Sequence, residues 1–87
     1  LLKGRPDSLI GDIIIDFKFN ISERQLNQWV QATGRQYLQE YYNLNGKYAS
    51  LLIVISEEFI VYYDKSLVLR EKRDINLRSS ASLSLEL

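Results

Sequence analysis

Residues 5 to 19 constrain the chain more tightly than any other stretch. They read Arg5-Pro6-Asp7-Ser8-Leu9-Ile10-Gly11-Asp12-Ile13-Ile14-Ile15-Asp16-Phe17-Lys18-Phe19. β-Branched and aromatic residues fill the second half, and a Gly-Asp pair between two such runs is a recognised hairpin turn. Pro6 has no N–H to give a ladder, so it belongs at a strand start or an edge. A two-residue turn at Gly11 and Asp12 fixes the register. Ile10 then faces Ile13, Asp7 faces Asp16, and Arg5 faces Lys18. Side chains alternate along a strand, so Asp7, Asp16, Lys18 and Arg5 share one face with Leu9 and Ile14. Ile13, Ile15, Phe17 and Phe19 take the other face and are expected to build the core.

Directly opposed residues hold their Cβ atoms about 4.5–5.5 Å apart, and like charges placed there are destabilising. An Asp7–Asp16 pair therefore asks for a use. Two carboxylates at that separation can share one divalent cation, and oxygen ligands favour Mg²⁺ or Mn²⁺. Lys18, on the same face, can orient a water or stabilise negative charge developing on a phosphate. Arg5 is a candidate phosphate contact. The plainer alternative is that Arg5 and Lys18 neutralise two exposed carboxylates across the strands, each pair worth little.

The rest of the chain supplies the frame. Ser22 with Gln25 forms a capping box, and Leu26, Trp29, Val30, Thr33, Tyr37, Leu38 and Tyr41 then recur at helical spacing. Gly34 weakens the middle of that helix slightly, and Asn43 to Gly46 stops it. Tyr48 to Ile55 is nearly all apolar, as in a strand covered on both faces. Phe59 to Tyr63 and Leu67 to Arg70 read as two further strands joined by Asp64-Lys65-Ser66. The fold class expected is α/β: a small mixed β-sheet with a hairpin–helix–strand core, whose strand–helix–strand step is a right-handed parallel crossover. Residues 1–78 form the core domain. Residues 79–87, rich in Ser and Leu, form a tail or a peripheral strand.

Composition narrows the chemistry. The 87 residues suit one domain, and a domain this small buries only roughly 60% of its unfolded surface. With no Cys and no His, thiolate and imidazole chemistry are excluded from this chain, leaving carboxylates, Lys, Arg, Tyr, Ser and Thr. Lys+Arg and Asp+Glu are both 11, a balance that gives no support to a dedicated nucleic-acid binder but allows one local basic groove. No apolar run approaches the roughly 20 residues of a membrane span and no signal peptide is visible, so an intracellular, cytoplasmic protein outside the membrane is expected. The chain begins Leu-Leu and contains no Met, which reads as a trimmed product or a piece of a longer protein.

Pro6-Asp7 followed by Asp16-Phe17-Lys18 resembles the signature of the PD-(D/E)XK nuclease superfamily, which has the restriction-endonuclease-like fold. The resemblance covers about residues 4 to 56 and includes the order hairpin, helix, buried strand. It implies a nuclease-like core that hydrolyses phosphodiester bonds of nucleic acid, DNA ahead of RNA, within DNA repair, recombination or restriction. It implies that Asp7 and Asp16 bind metal, that the backbone carbonyl of Phe17 adds a ligand, and that Lys18 assists the attacking water. Gln25 or Gln28 could correspond to a Gln that many members carry on the helix after the signature. Many members complete the metal site with a Glu on an upstream helix, which this chain lacks; the site is then either incomplete as given or completed by missing sequence or another subunit.

Other residues have plainer readings. The glutamines of the helix fit a solvated face. Trp29, Tyr37, Tyr41 and Tyr42 fit core or interface better than base-stacking platforms. Arg70, Lys72, Arg73 and Arg78 could meet phosphates or protect an edge strand by charge. The rivals to the enzyme are a catalytically inactive module of the same fold that binds nucleic acid or protein, and an assembly domain of unrelated α/β fold. A small core and exposed aromatics make a homo-oligomer, or further domains of a longer chain, plausible partners.

Overall fold

The hairpin folds in the register its turn demands. In the computed structural model, which describes residues 6–75, β1 (Ser8–Ile10) pairs antiparallel with β2 (Ile13–Phe17). Its partners are Ser8 with Ile15, Leu9 with Ile14 and Ile10 with Ile13. Gly11 has φ of 60° while Asp12 is not among the left-handed residues, the pattern of a type II′ turn with Gly at its first central position.

Ser22 caps the helix that follows. Its hydroxyl accepts from the Gln25 N–H at 3.1 Å, and the Gln25 side chain accepts from the Ser22 N–H at 2.9 Å. The helix runs as α1 (Glu23–Trp29), a π turn (Val30–Gly34) and α2 (Arg35–Asn45). It ends on Gly46, whose φ of 75° is the left-handed stop that glycine adopts without a Cβ penalty. A Cβ at Gly34 would lie 3.0 Å from Leu52 Cδ2. The residue that looks like a weak point in the helix is thus where the helix backbone packs tightly against the sheet.

The chain then enters β3 (Leu51–Ile55), which pairs parallel with β2, so the strand–helix–strand step joins parallel neighbours. β4 (Phe59–Tyr63) and β5 (Leu69–Asp74) complete a five-stranded mixed sheet with its strands in sequence order. β5 starts later than the sequence suggests. Asp64 Oδ1 accepts from the Ser66 and Val68 N–H groups at 2.8 and 3.1 Å, making a wide turn. Leu67 sits in that turn at φ 61° with its side chain against the core.

Among the described residues, the helix covers one face of the sheet and no element covers the other. Ile14, Leu52, Val54, Val61 and Tyr63 from the strands meet Leu26, Val30, Tyr37, Leu38 and Tyr41 from the helix. This corrects the expected facing of the hairpin. Ile13 and Ile15 are half-buried, Phe17 and Phe19 are 43% and 60% exposed, and Ile14 and Asp16 lie inside. β3 is likewise fully covered on one face, with Leu51, Ile53 and Ile55 half-buried on the other. Of the paired tyrosines, Tyr63 is buried and Tyr62 is not. No helix among the described residues is long and apolar enough to cross a membrane. Arg5, Arg78 and the 79–87 tail lie outside the described residues.

Candidate functional site

Asp16 owes its position to strand alternation. It follows Ile14 on the helix-covered face of β2, beside Val54 of β3, and is only 2% exposed. Asp7 lies just ahead of β1 and is exposed. One backbone group ties the two together. The Phe17 N–H donates to Asp7 Oδ2 at 2.7 Å and to Asp16 Oδ1 at 3.0 Å. The acids expected to face each other therefore converge on a single amide hydrogen. Lys18 joins them on the same face, with Nζ 3.4 Å from Asp16 Oδ2. The same ammonium rests 4.9 Å from the centroid of the Trp29 ring, a cation–π contact that holds a long side chain in place.

The electrostatics divide the two acids. Burial pushes the Asp16 carboxyl up to about 6, with the hydrogen bond to Asp7 adding to the rise and the Lys18 charge opposing it. Asp7 moves the other way, held down by the hydrogen bond from Asp16, by the Phe17 amide and by Lys18. Below about pH 6 the pair shares one proton, and Asp16 carries it. Both are ionised above that point, with two like charges at close quarters. Tyr37 comes from α2 to the same place. Burial raises its phenol first, and the Asp16 and Asp7 charges raise it further, so it stays a neutral donor toward Asp16.

Asp7, Asp16 and the backbone around Phe17 are the groups here that could hold a cation. Asp16 Oδ2 is buried and accepts no hydrogen bond; the charge that faces it is the Lys18 ammonium, 3.4 Å away. Exposed Asp7 leaves the pair open to solvent on one side. The Lys18 N–H turns toward β3, donating to Ile55 O at 3.0 Å, while the Phe17 N–H turns toward Asp7. A strand residue's N–H and C=O leave on the same edge, so the Phe17 carbonyl also lies on the Asp7 side. Two carboxylates and a carbonyl, with water completing the shell, is a donor set suited to Mg²⁺ or Mn²⁺. Among the described residues, no group of three Asp, Glu, His or Cys gathers where it could hold a metal.

Two site neighbours escaped the sequence reading because they sit on the apolar helical stripe. Trp29 supports Lys18, and Tyr37 reaches Asp16. In a straight α-helix, residues eight apart point about 80° away from each other. The π turn between them takes up roughly one residue and returns both to one side, where the rings meet edge to face at 5.8 Å and 74°. Of the glutamines, Gln25 closes the capping box and Gln28 is exposed. Neither makes a hydrogen bond to Asp7, Asp16 or Lys18. Arg5, the proposed partner of Lys18, falls outside the described residues. No family model, no curated protein and no solved structure matches the chain, so the arrangement of Asp7, Asp16 and Lys18 is itself the ground for a functional reading.

Proposed function

We propose that this domain is a metal-dependent nuclease that hydrolyses phosphodiester bonds, with DNA ahead of RNA as substrate, and that its site follows the PD-(D/E)XK pattern. The observation that carries the reading is the buried Asp16 carboxyl, which meets Asp7 at the Phe17 amide and is ion-paired with Lys18. Two carboxylates this close repel one another, and one of them is out of water; a bound divalent cation would offset both costs. Asp7, Asp16 and the Phe17 carbonyl would hold Mg²⁺ or Mn²⁺. Bound there, the ion supplies Lewis-acid stabilisation of the scissile phosphate and lowers the pKa of a coordinated water. Lys18 positions the attacking water and offsets charge on the phosphate. Trp29 keeps the ammonium near that place, and Tyr37 fixes the Asp16 carboxyl. Arg5, Gln25 and Gln28 are the candidates for holding the nucleic acid on either side.

The test is Mn²⁺- or Mg²⁺-dependent cleavage of single-stranded, duplex and branched DNA and of RNA. Asp16→Ala and Lys18→Ala are expected to abolish cleavage while the proteins stay folded. Cleavage that survives both changes would sink the assignment. A second reading, an inactive module of the same type, draws on one specific observation: two acids gather at the site among the described residues, with no third. It predicts Mn²⁺ binding that needs Asp7 and Asp16, with no turnover of any of these substrates.

A further inference from the structure

A cavity lies at the other end of the sheet from Asp16. It has a volume of about 320 Å³ and is lined by Arg35, Leu38, Gln39, Tyr48, Lys65, Ser66 and Leu67. Asp16 stands opposite Val54 near the end of β3, whereas Tyr48 precedes β3 and residues 65–67 follow β4. Roughly 13 Å of strand rise separates the two places, so the nuclease reading does not use this cavity.

Its chemistry is divided into parts. Leu38 and Leu67 give it an apolar floor; Leu38 is 3% exposed, and Leu67 packs on the core. Tyr48 gives it an aromatic wall. Its ring stacks on Tyr42 at 4.5 Å and 29°. Tyr42 is not part of the lining, so the stack holds Tyr48 in place from outside the cavity. Two cations stand in the lining, and no carboxylate joins them. Arg35 is held in place by Gln31, with Nε 3.3 Å from the carbonyl and Nη2 2.7 Å from Oε1. Neither Arg35 nor Lys65 makes an ion pair with a described residue.

The backbone gives an independent indication. Leu67 at φ 61° is a bulky residue in the left-handed region, a strained conformation that persists where the surroundings enforce it, often at binding sites. Asp64 enforces it here by gripping Ser66 and Val68, and the result presents Ser66 and Leu67 to the cavity together.

We propose that this cavity binds a nucleoside monophosphate, free or as a residue of a single strand, with the base against Tyr48 and the phosphate between Arg35 and Lys65. The volume falls at the lower end of the range for ligand pockets. An aromatic face beside cations is the pairing that single-stranded nucleic acids use. The hydroxyl of Ser66 and the amide of Gln39 are the polar groups available to the sugar or the base edge.

Titration calorimetry on the full chain with AMP, adenosine, ribose 5-phosphate and a short deoxythymidine oligomer tests this, with ¹⁵N-amide shifts locating the site. The expected result is that AMP binds more tightly than either fragment and that the amides of Arg35, Tyr48, Ser66 and Leu67 shift. Arg35→Gln and Lys65→Gln should each weaken AMP about tenfold, the scale of a hydrogen bond to a charged group. Tyr48→Ala should weaken it by a similar factor, as expected when base stacking is lost, and leave ribose 5-phosphate unchanged. If the oligomer shows the same variant pattern, the strand is a source of the ligand; if AMP alone shows it, the free nucleotide is. Equal affinities for AMP and ribose 5-phosphate would overturn the proposal. So would binding indifferent to all three variants, shifts confined to Asp7, Asp16 and Lys18, or no binding of AMP or oligomer at millimolar concentration. Asp16→Ala separates this site from the nuclease reading, because it should leave AMP binding intact.

Discussion

The two faces of the sheet are built from alternate residues of the same strands, and they have different fates. On one face Ile14, Leu52, Val54 and Val61 lie under the helix with almost no exposure. On the other, Ile13, Ile15, Ile53, Ile55 and Ile60 are half-buried by their neighbours and Phe17 is largely open. The composition of the two faces does not separate them, since both are mostly aliphatic. What separates them is that the covered face contains the one buried acid of the strands, Asp16. A charge set into the dry side of a sheet is costly, and here it coincides with Asp7, Lys18, Trp29 and Tyr37. The candidate site thus lies on the face where packing holds side chains still.

The sharpest test of that contrast compares neighbours on β3. Leu52 is fully buried and touches the point where Gly34 brings the helix close, so Leu52→Ala should cost about 3–4 kcal/mol. Ile53→Ala, one residue along and on the bare face, should cost about 1 kcal/mol or less. Urea unfolding of both variants measures the difference. Gly34→Ala belongs with Leu52. Its new methyl would meet Leu52 Cδ2 at 3.0 Å, so the crowding should outweigh the gain in helix propensity and give a net loss of about 1 kcal/mol.

Much of this was legible in the residues. The two-residue turn at Gly11-Asp12 set the hairpin register, and hence the Asp7–Asp16 pairing, because period-2 alternation leaves no freedom once the turn is fixed. The Ser22–Gln25 box and Gly46 marked the helix ends for equally local reasons. The facing of β2 was not legible. Ile13, Ile14 and Ile15 are equivalent to a pattern argument, so the choice fell to Asp16 and Phe17, and polarity pointed the wrong way: the acid is inside and the aromatic outside. The π turn has no residue signature, and without it Trp29 and Tyr37 do not point to one place. β5 was misplaced because Leu67 and Val68 look like strand residues, while Asp64 holds them in a turn.

Asp16 offers the next effect, of opposite sign. Its folded-state value of about 6 lies above the ordinary 3.8, so its protonated form is favoured by folding. That contribution is full below about pH 4 and is lost as pH rises through about 6. Asp16→Asn removes the cost, so the variant should be more stable than the parent by about 2 kcal/mol at pH 7.5 without metal, with the gain vanishing near pH 4. Asp7 is shifted down, so its own contribution is lost only as pH falls below the usual carboxylate range and does not mimic this profile. Saturating Mn²⁺ should raise the melting temperature of the parent at pH 7.5 and leave Asp16→Asn nearly unmoved. Equal stability of the two proteins at pH 7.5 would mean that Asp16 is not held in a desolvated place.

The smallest effect tests the bare face directly. Phe17 is 43% exposed and supplies the site through its backbone, since its amide holds both carboxylates. Phe17→Ser removes the ring and keeps those groups. Burial already forgone cannot be lost, so the change should cost about 0.5–1 kcal/mol at most, and Mn²⁺ affinity should stay within about twofold, a difference of ~0.4 kcal/mol. A loss near that of Leu52→Ala would show that the face is covered in solution. If that loss also grew with protein concentration, a second copy would be the cover, because only association makes stability depend on concentration. If it did not, the cover would come from the same chain, and the difference between the two faces would be one of sequence outside residues 6–75, not of exposure.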